Sequence, residues 1–174
     1  MHAFDYNLDH LGIGTIDAPE WKIADRMTAY LTRAAAARLG LWGNHGYEAR
    51  YDMLWQDENG VDLDGSRSYE STLSPPAVQA FWSLRMHEKP DYNLVPNDID
   101  RYWIGDRTAG LVTTADGSVT ILMQHQRPAS PHEANWLPAP AGPCRPVLRS
   151  YRPTGWKLTG EYQLVPPRRL VESR

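Results

Sequence analysis

A proline-rich tract over residues 124–143, QHQRPASPHEANWLPAPAGP, most constrains what this chain can fold into. Its prolines are Pro128, Pro131, Pro138, Pro140 and Pro143. Each proline removes a backbone donor and fixes φ near about −65°, so the tract is not expected to run through a helix or strand interior. The same prolines lower the entropy lost on ordering, and Trp136 with Leu137 argues against disorder. The tract predicts a long, stiff, ordered loop, a kind of segment that is often functional.

The composition excludes several classes of protein. A net charge of −3 gives no concentrated basic face, so we expect neither nucleic acid nor an anionic membrane as a partner. Cys144 is the single cysteine, which rules out an internal disulfide and fits a reducing compartment. The first ten residues have no basic segment followed by an apolar one, and no apolar run approaches about 18 residues. We therefore expect a soluble, cytoplasmic protein.

A helix is predicted over residues 17–40. Asp17 and Glu20 stand at capping-box positions, and Pro19 lies in the first turn, where its missing N–H is not needed. Apolar residues then recur every three or four positions until Gly40, where a left-handed C-terminal cap is expected. The alanines at 34–37 suggest close packing on the domain's own sheet or, as the alternative, on a partner.

Beyond residue 47 the pattern changes to an alternation of period two, which is typical of strands. Strands are predicted over 51–56, 68–73, 78–86, 110–114, 118–124, 147–151 and 161–165. Asp116-Gly117 is a strong signal for a hairpin turn between 110–114 and 118–124. With short turns and a single helix, the chain predicts an antiparallel β-sandwich of jelly-roll type with one N-terminal helix packed on or beside it. We expect a single domain, with an irregular lead-in over 1–16, the helix over 17–40, the sandwich over 47–166 and a tail over 167–174.

Four motifs carry a resemblance to a known family. They are AFWSL at 80–84, DRYWIGDRT at 100–108, QH at 124–125 and EANWLPAPAGP at 133–143. Together they span roughly 45–165, and they resemble the bacterial family called domain of unknown function 1214. The resemblance implies a β-sandwich module that normally forms the C-terminal half of a two-domain protein, behind a domain of unknown function numbered 1254. This chain has no such first half, so we expect a homo-oligomer or a partner chain in its place.

The chain departs from the family pattern at two points. Similar members usually have Tyr-Asp after the FWSL strand and Asp-Ser-Pro after Gln-His. This chain has His87-Glu88 and Gln126-Arg127-Pro128 at those places. The family assigns no reaction, so the resemblance supports the fold more than any activity.

His125 and Glu133 are the candidate catalytic pair. His125 ends the second predicted hairpin strand, immediately before the loop that carries Glu133. If the loop folds back, an imidazole and a carboxylate could share one pocket, which is the minimum for acid–base chemistry near neutral pH. The alternative is that His125 anchors the loop by binding a backbone carbonyl.

Six further residues are candidates for ligand binding: Trp82, Trp103 and Trp136 as apolar walls, and Arg101, Tyr102 and Asn135 as polar groups. Arg101 lies among Asp100, Asp106 and Arg107, a composition suited to holding a carboxylate through a bidentate arginine. The alternative is that these charged side chains fasten a loop.

We expect neither a metal nor a cofactor. His87, His125, His132 and Glu133 include no pair at metal-ligand spacing within one strand or helix. Cys144 has Arg145 beside it but no base that the sequence places near it. There is no phosphate loop and no dinucleotide motif.

Three functions follow from these observations. The first is binding of a small organic molecule in a pocket under the Pro-rich loop, with metal-independent acid–base catalysis as an option. The second is a structural or oligomerisation module without an active site of its own. The third is carbohydrate binding on exposed aromatic rings, because the chain has seven Trp and nine Tyr against two Phe.

Overall fold

The computed structural model describes residues 44–129 and 131–170, together with Ala34 and Ala37. Ala34 and Ala37 are helical, as expected, and exposed. The rest of the helix predicted over 17–40 lies outside the described residues, as do the lead-in over 1–16 and the end of the tail.

Strands are the main regular elements of the described chain. They are β1 (Ala49–Met53), β2 (Tyr69–Leu73), β3 (Val78–Glu88), β4 (Trp103–Gly105), β5 (Val119–Gln124), β6 (Trp136–Pro138), β7 (Cys144–Pro153) and β8 (Arg168–Arg169). A 3-10 helix covers His132–Asn135 and a short α-helix covers Gly155–Thr159. The strands predicted over 68–73, 78–86, 118–124 and 147–151 are therefore confirmed, with small shifts at their ends.

The first sheet has the order β1-β7-β3-β4, and all its neighbours are antiparallel. Its centre is the pair β3 and β7, which stays in register from Phe81↔Tyr151 to Glu88↔Cys144. At the edge, β4 approaches β3 so closely that a Cβ on Gly105 would lie 2.1 Å from the Trp82 carbonyl oxygen. Only glycine fits there without a backbone shift.

The second sheet has the order β6-β5-β2-β8, and it corrects two predictions. The sheets are not antiparallel throughout, because β5 and β6 pair in parallel through Leu122↔Trp136 and Gln124↔Pro138. The Pro-rich tract is also not free of strands, since β6 lies inside it. β6 is the edge of its sheet, where the missing N–H of Pro138 does not break the sheet.

Two predicted strands are absent from the described chain. The Asp-Gly turn forms as expected, with the Thr114 N–H donating to the Ser118 carbonyl at 2.9 Å and Gly117 at a φ of 81°. The segment 110–114 ahead of it is nevertheless irregular. The segment 161–165 is irregular as well. Within it, Tyr162 is buried and its hydroxyl donates to the Ser74 carbonyl at 2.8 Å. β8 follows the Pro166-Pro167 pair that was expected to end the structure.

The inner faces of both sheets contribute to one hydrophobic core. Its members include Trp82, Leu84, Met86, Ile104 and Leu148 from the first sheet, and Tyr69, Leu73, Val119, Ile121, Met123 and Leu137 from the second. The prediction of a mainly β chain is confirmed, while the jelly-roll connectivity stays a prediction. In the part of the chain that the structure describes, no helix has the length and apolar character needed to cross a membrane.

Candidate functional site

The Pro-rich loop is fixed at both sides of β6. The Trp136 indole N–H donates to the Gln124 carbonyl at 2.9 Å, and the Ala139 N–H donates to the same oxygen at 3.0 Å. Leu137 is fully buried and Ala139 is nearly so. Burial of these apolar side chains stabilises the loop against the core. The part of the loop from Trp136 to Ala139 therefore lies directly on the hydrophobic interior.

Arg101 fastens this loop from outside it. Its Nη1 donates to the backbone carbonyls of Glu133 at 2.6 Å and Trp136 at 3.0 Å, with Ala134 at 3.4 Å. Charged donors form the stronger hydrogen bonds, so this guanidinium holds the 3-10 helix and the start of β6 in place. The contacts correspond to the loop-fastening interpretation of Arg101.

His125 and Glu133 hydrogen-bond different partners. His125 Nδ1 lies 3.0 Å from the Ala139 carbonyl oxygen, while Glu133 Oε1 accepts from Arg127 Nη2 at 2.5 Å. The contact of His125 matches the alternative in which the imidazole anchors the loop. The role of this pair in acid–base catalysis stays a prediction.

The other predicted ligand-binding residues are distributed over the fold. Trp82 and Trp136 are buried, and Trp103 is half-buried at the edge of the first sheet. The Tyr102 hydroxyl donates to Asp100 at 3.2 Å. Asn135 binds the backbone of Val112, with its Oδ1 accepting from the N–H at 2.9 Å and its Nδ2 donating to the carbonyl at 2.7 Å. Their role as ligand contacts stays a prediction.

A recess of about 530 Å³ opens where the Pro-rich loop ends. It is lined by Val61, Asp62, Leu63, Asp64, Arg67, Lys89, Pro90 and Pro143. Backbone bonds hold three segments together around it, from the Gly65 N–H to the Gly142 carbonyl at 2.8 Å and from the Lys89 N–H to the Pro143 carbonyl at 3.0 Å. A Cβ on Gly65 would meet the Pro140 carbonyl oxygen at 2.0 Å, so this close approach requires glycine.

The recess has charges of both signs on apolar walls. Lys89 Nζ lies 3.9 Å from Asp62 and 5.7 Å from the centre of the Trp55 ring. Hydrogen bonds from Ser66 hold the pKa of Asp64 below its ordinary value, so this carboxylate is ionised near neutral pH. A polar organic molecule could be oriented by such groups.

Cys144 follows Pro143 of the lining and is buried, and its N–H donates to the carbonyl of Leu63, another lining residue, at 3.1 Å. Burial, with the nearby charge of Asp64, raises the pKa of its thiol to about 12. The thiolate is the nucleophilic form of cysteine, so this residue is inert near neutral pH.

The residues that line the recess were not among the candidate site residues predicted from the sequence. Asp62 and Asp64 alternate with Val61 and Leu63, a pattern that marks one polar and one apolar face of an extended segment. That pattern could have indicated a polar surface. It could not show that Lys89 and Pro143 come to the same place. Among the described residues, no three His, Cys, Asp or Glu side chains gather as metal ligands.

Two solved structures are similar to this chain over nearly its whole length. The crystal structure of the VPA0106 protein from Vibrio parahaemolyticus is 26% identical with a TM-score of 0.73, and the match covers 98% of this chain and 42% of that one. A crystal structure of an uncharacterised protein from Burkholderia cenocepacia is 16% identical with a TM-score of 0.46, covering 97% of this chain and 49% of that one. The chain thus spans less than half the length of either.

No curated protein matches the chain. The model of a family described as "Protein of unknown function (DUF1214)" matches residues 48–155, which include most of the strands and the whole Pro-rich loop. On this match, the chain belongs to the DUF1214 family.

Proposed function

We propose that the chain binds a small organic molecule in the recess at the end of the Pro-rich loop, without forming a covalent bond to it. The observation that carries this proposal is the recess of about 530 Å³, which falls in the range of about 300–1,000 Å³ that small-molecule sites occupy. The site differs from the expected pocket in its position, since it lies beside Pro143 rather than beside His125.

The lining supports a binding role. Leu63, Pro90 and Pro143 supply apolar walls, while Lys89 and Arg67 supply cationic groups. A mostly apolar surface with a few polar groups that orient the ligand is typical of such sites. The backbone bonds around Gly65 and Lys89 form the site in the absence of a ligand, which reduces the entropy lost on binding.

Binding without chemistry is favoured by the groups at hand. The thiol of Cys144 is protonated and buried. Asp64 accepts from the backbone N–H of Ser66 at 2.9 Å, so one of its oxygens already has a partner. Neither group is a prepared nucleophile or general base.

A screen of small organic molecules by amide chemical shifts in NMR tests the proposal. At least one compound should shift the amides of residues 61–67 and Lys89 together. Val61 is 42% exposed at the recess, and Val61→Trp should fill it and abolish binding of that compound. Val165, which is 63% exposed and does not line the recess, gives the matched control Val165→Trp, which should bind as the wild type does. Shifts that map elsewhere, or binding that survives Val61→Trp, would refute the proposal.

A further inference from the structure

Four basic side chains share one face of the first sheet. Leu84, Met86 and Leu148 belong to the core, so the odd-numbered residues of β3 and β7 point to the opposite, outer face. On that face, His87 lies opposite Arg145, and Arg85 lies opposite Val147, between Arg145 and Arg149 along the neighbouring strand. Directly opposed residues have Cβ atoms about 5 Å apart, and diagonal neighbours are within reach of long side chains.

The three arginines of this face, Arg85, Arg145 and Arg149, are called the arginine cluster below. Arg145 is 3% exposed, and its Nε and Nη1 have no hydrogen-bond partner. Nε is buried and unpaired in Arg85 and in Arg149 as well. No Asp or Glu among the described residues forms an ion pair with any of the three. A buried cation without a counter-charge costs free energy, so the arrangement needs an explanation.

Aromatic rings offset part of this cost. The Arg145 guanidinium carbon lies 3.9 Å from the centre of the Tyr92 ring and 4.8 Å from that of Trp55, and Arg149 lies 5.8 Å from that of Tyr51. Stacking on a ring leaves the N–H donors in the guanidinium plane unused. The rings therefore hold Arg145 and Arg149 in place, and the donors of these two guanidinium groups remain free to bind an acceptor.

Burial, and to a smaller extent the neighbouring cation of Arg149, disfavours the charged forms of Arg85 and Arg145. Burial, followed by the charge of Arg149, lowers the pKa of Arg85 from its ordinary value. Burial is also the main cause that lowers the pKa of Arg145. If the face served packing alone, neutral side chains such as Gln or Met would fill it without the free-energy cost of a buried cation.

Two neutral groups add to the same surface. The Ser83 hydroxyl lies on the outer face opposite Arg149, is 2% exposed and has no hydrogen-bond partner. His87 donates from Nδ1 to the Tyr92 carbonyl at 2.8 Å, which leaves Nε2 buried and unpaired. Together with the arginines, they form a concentration of unused polar atoms that a protein interior normally avoids.

We propose that the arginine cluster is a binding site for an oxyanion, either a carboxylate or a phosphate, on the outer face of the first sheet. Both groups present several acceptor oxygens that match the planar fork of a guanidinium. Arg85 and Arg149 are half-buried, so the site opens to solvent on their side. The site is distinct from the recess, and it stands whether or not the recess binds a ligand.

Isothermal titration calorimetry of the full 174-residue chain with inorganic phosphate, and separately with succinate, tests this proposal. Ionic strength is kept constant with chloride, because exposed charges are screened by salt. Arg85→Met and Arg149→Met should each weaken binding by roughly tenfold or more, since each removes charged hydrogen-bond donors. Arg152 lies exposed on the same strand outside the cluster, and Arg152→Met should bind like the wild type.

Thermal denaturation in a buffer without oxyanions gives a second, independent readout. If the cluster exists to bind an anion, removal of one uncompensated cation should leave the melting temperature unchanged or raise it. Binding of one probe alone would identify the anion as phosphate or as carboxylate. Absence of binding for both probes, equal binding by the Arg85 and Arg149 variants, or a lower melting temperature of both variants in the oxyanion-free buffer would overturn the proposal.

Discussion

Among single residues, His87 is a buried imidazole whose pKa depends on the charges around it. The Tyr92 carbonyl can only accept, so the ring carries its proton on Nδ1. Burial lowers the pKa of His87, and the cations of Arg149, Arg145 and Arg85 lower it further against the effect of the hydrogen bond. The imidazole is therefore neutral at pH 7 in the folded protein.

The pH dependence of stability follows from this lowered pKa. The unfolded chain takes up the proton first, at a pKa of about 6.5, so the free energy of unfolding should fall as the pH decreases below about 6.5. The slope from this one residue cannot exceed about 1.4 kcal/mol per pH unit. Urea denaturation between about pH 7.5 and 5.5, in a buffer without phosphate or carboxylates, should show a shallower decline for His87→Asn than for the wild type. His132 is exposed, so His132→Asn is the control, and its free energy of unfolding should decline with pH as that of the wild type does. Parallel curves of the free energy of unfolding against pH for His87→Asn and the wild type would contradict the prediction.

Among the elements, the strand predicted over 110–114 is replaced by contacts of the Asn135 side chain. Segment 110–114 was predicted to pair with β5, yet the carboxamide of Asn135 binds the Val112 N–H and carbonyl and also donates to the Thr120 carbonyl at 2.9 Å. An amide side chain can satisfy backbone groups in this way, as a neighbouring strand would. The 3-10 helix thus links an irregular segment to β5.

Removal of this carboxamide should loosen segment 110–114. In Asn135→Ala, the Val112 amide loses its acceptor and should exchange its hydrogen roughly tenfold faster, while amides of β3 and β7 keep their protection. Asn93, whose Nδ2 donates to Glu88 at an exposed position, gives the control Asn93→Ala. Hydrogen exchange followed by NMR measures the difference. An unchanged rate at Val112 would mean that other contacts hold the segment.

Elements were predictable where local pattern decides the structure. The alternation in 78–86 and 118–124 is decisive because each strand has one face in the core, as Leu84 and Ile121 show. β6 was not predicted, because a strand at the edge of a sheet tolerates proline and no local sequence pattern shows that a strand will lie at an edge. The arginine cluster was not predicted for a related reason. Arg85 and Arg145 resemble solvent-facing residues of two strands, and their meeting depends on the register of β3 against β7.

At the scale of the whole molecule, the last part of the described chain joins the two sheets. The helix Gly155–Thr159 lies against the first sheet, where Arg50 Nη1 donates to the Lys157 carbonyl at 2.9 Å. Lys157 is 2% exposed and pairs with Asp52 of β1. The described chain then enters the core at Tyr162 and reaches β8, which pairs with β2 of the second sheet. The pair of Asp52 and Lys157 therefore holds the start of this connecting segment against the first sheet.

Loss of one partner of that pair should weaken the whole fold. Burial lowers the pKa of Lys157 and Asp52 opposes this, so Asp52→Asn would leave an uncompensated buried cation. We expect a loss of about 3 kcal/mol in the free energy of unfolding, at the low end for buried pairs because the Asp52 side chain is 20% exposed. For a chain of this size, the melting temperature should fall by about 6–12 °C.

The double variant decides whether the effect comes from the buried charge. Asp52→Asn combined with Lys157→Met removes both ionic groups, and a buried pair replaced by neutral groups is often close to neutral in stability. The double variant should therefore recover most of the loss, as measured by thermal denaturation of both variants. Glu70→Gln breaks the pair with Arg168, which is more than half exposed, and should change the free energy of unfolding by less than about 1 kcal/mol. If the double variant is as unstable as Asp52→Asn, specific contacts of Lys157 with Tyr162 and β1, rather than its charge, hold the connecting segment in place.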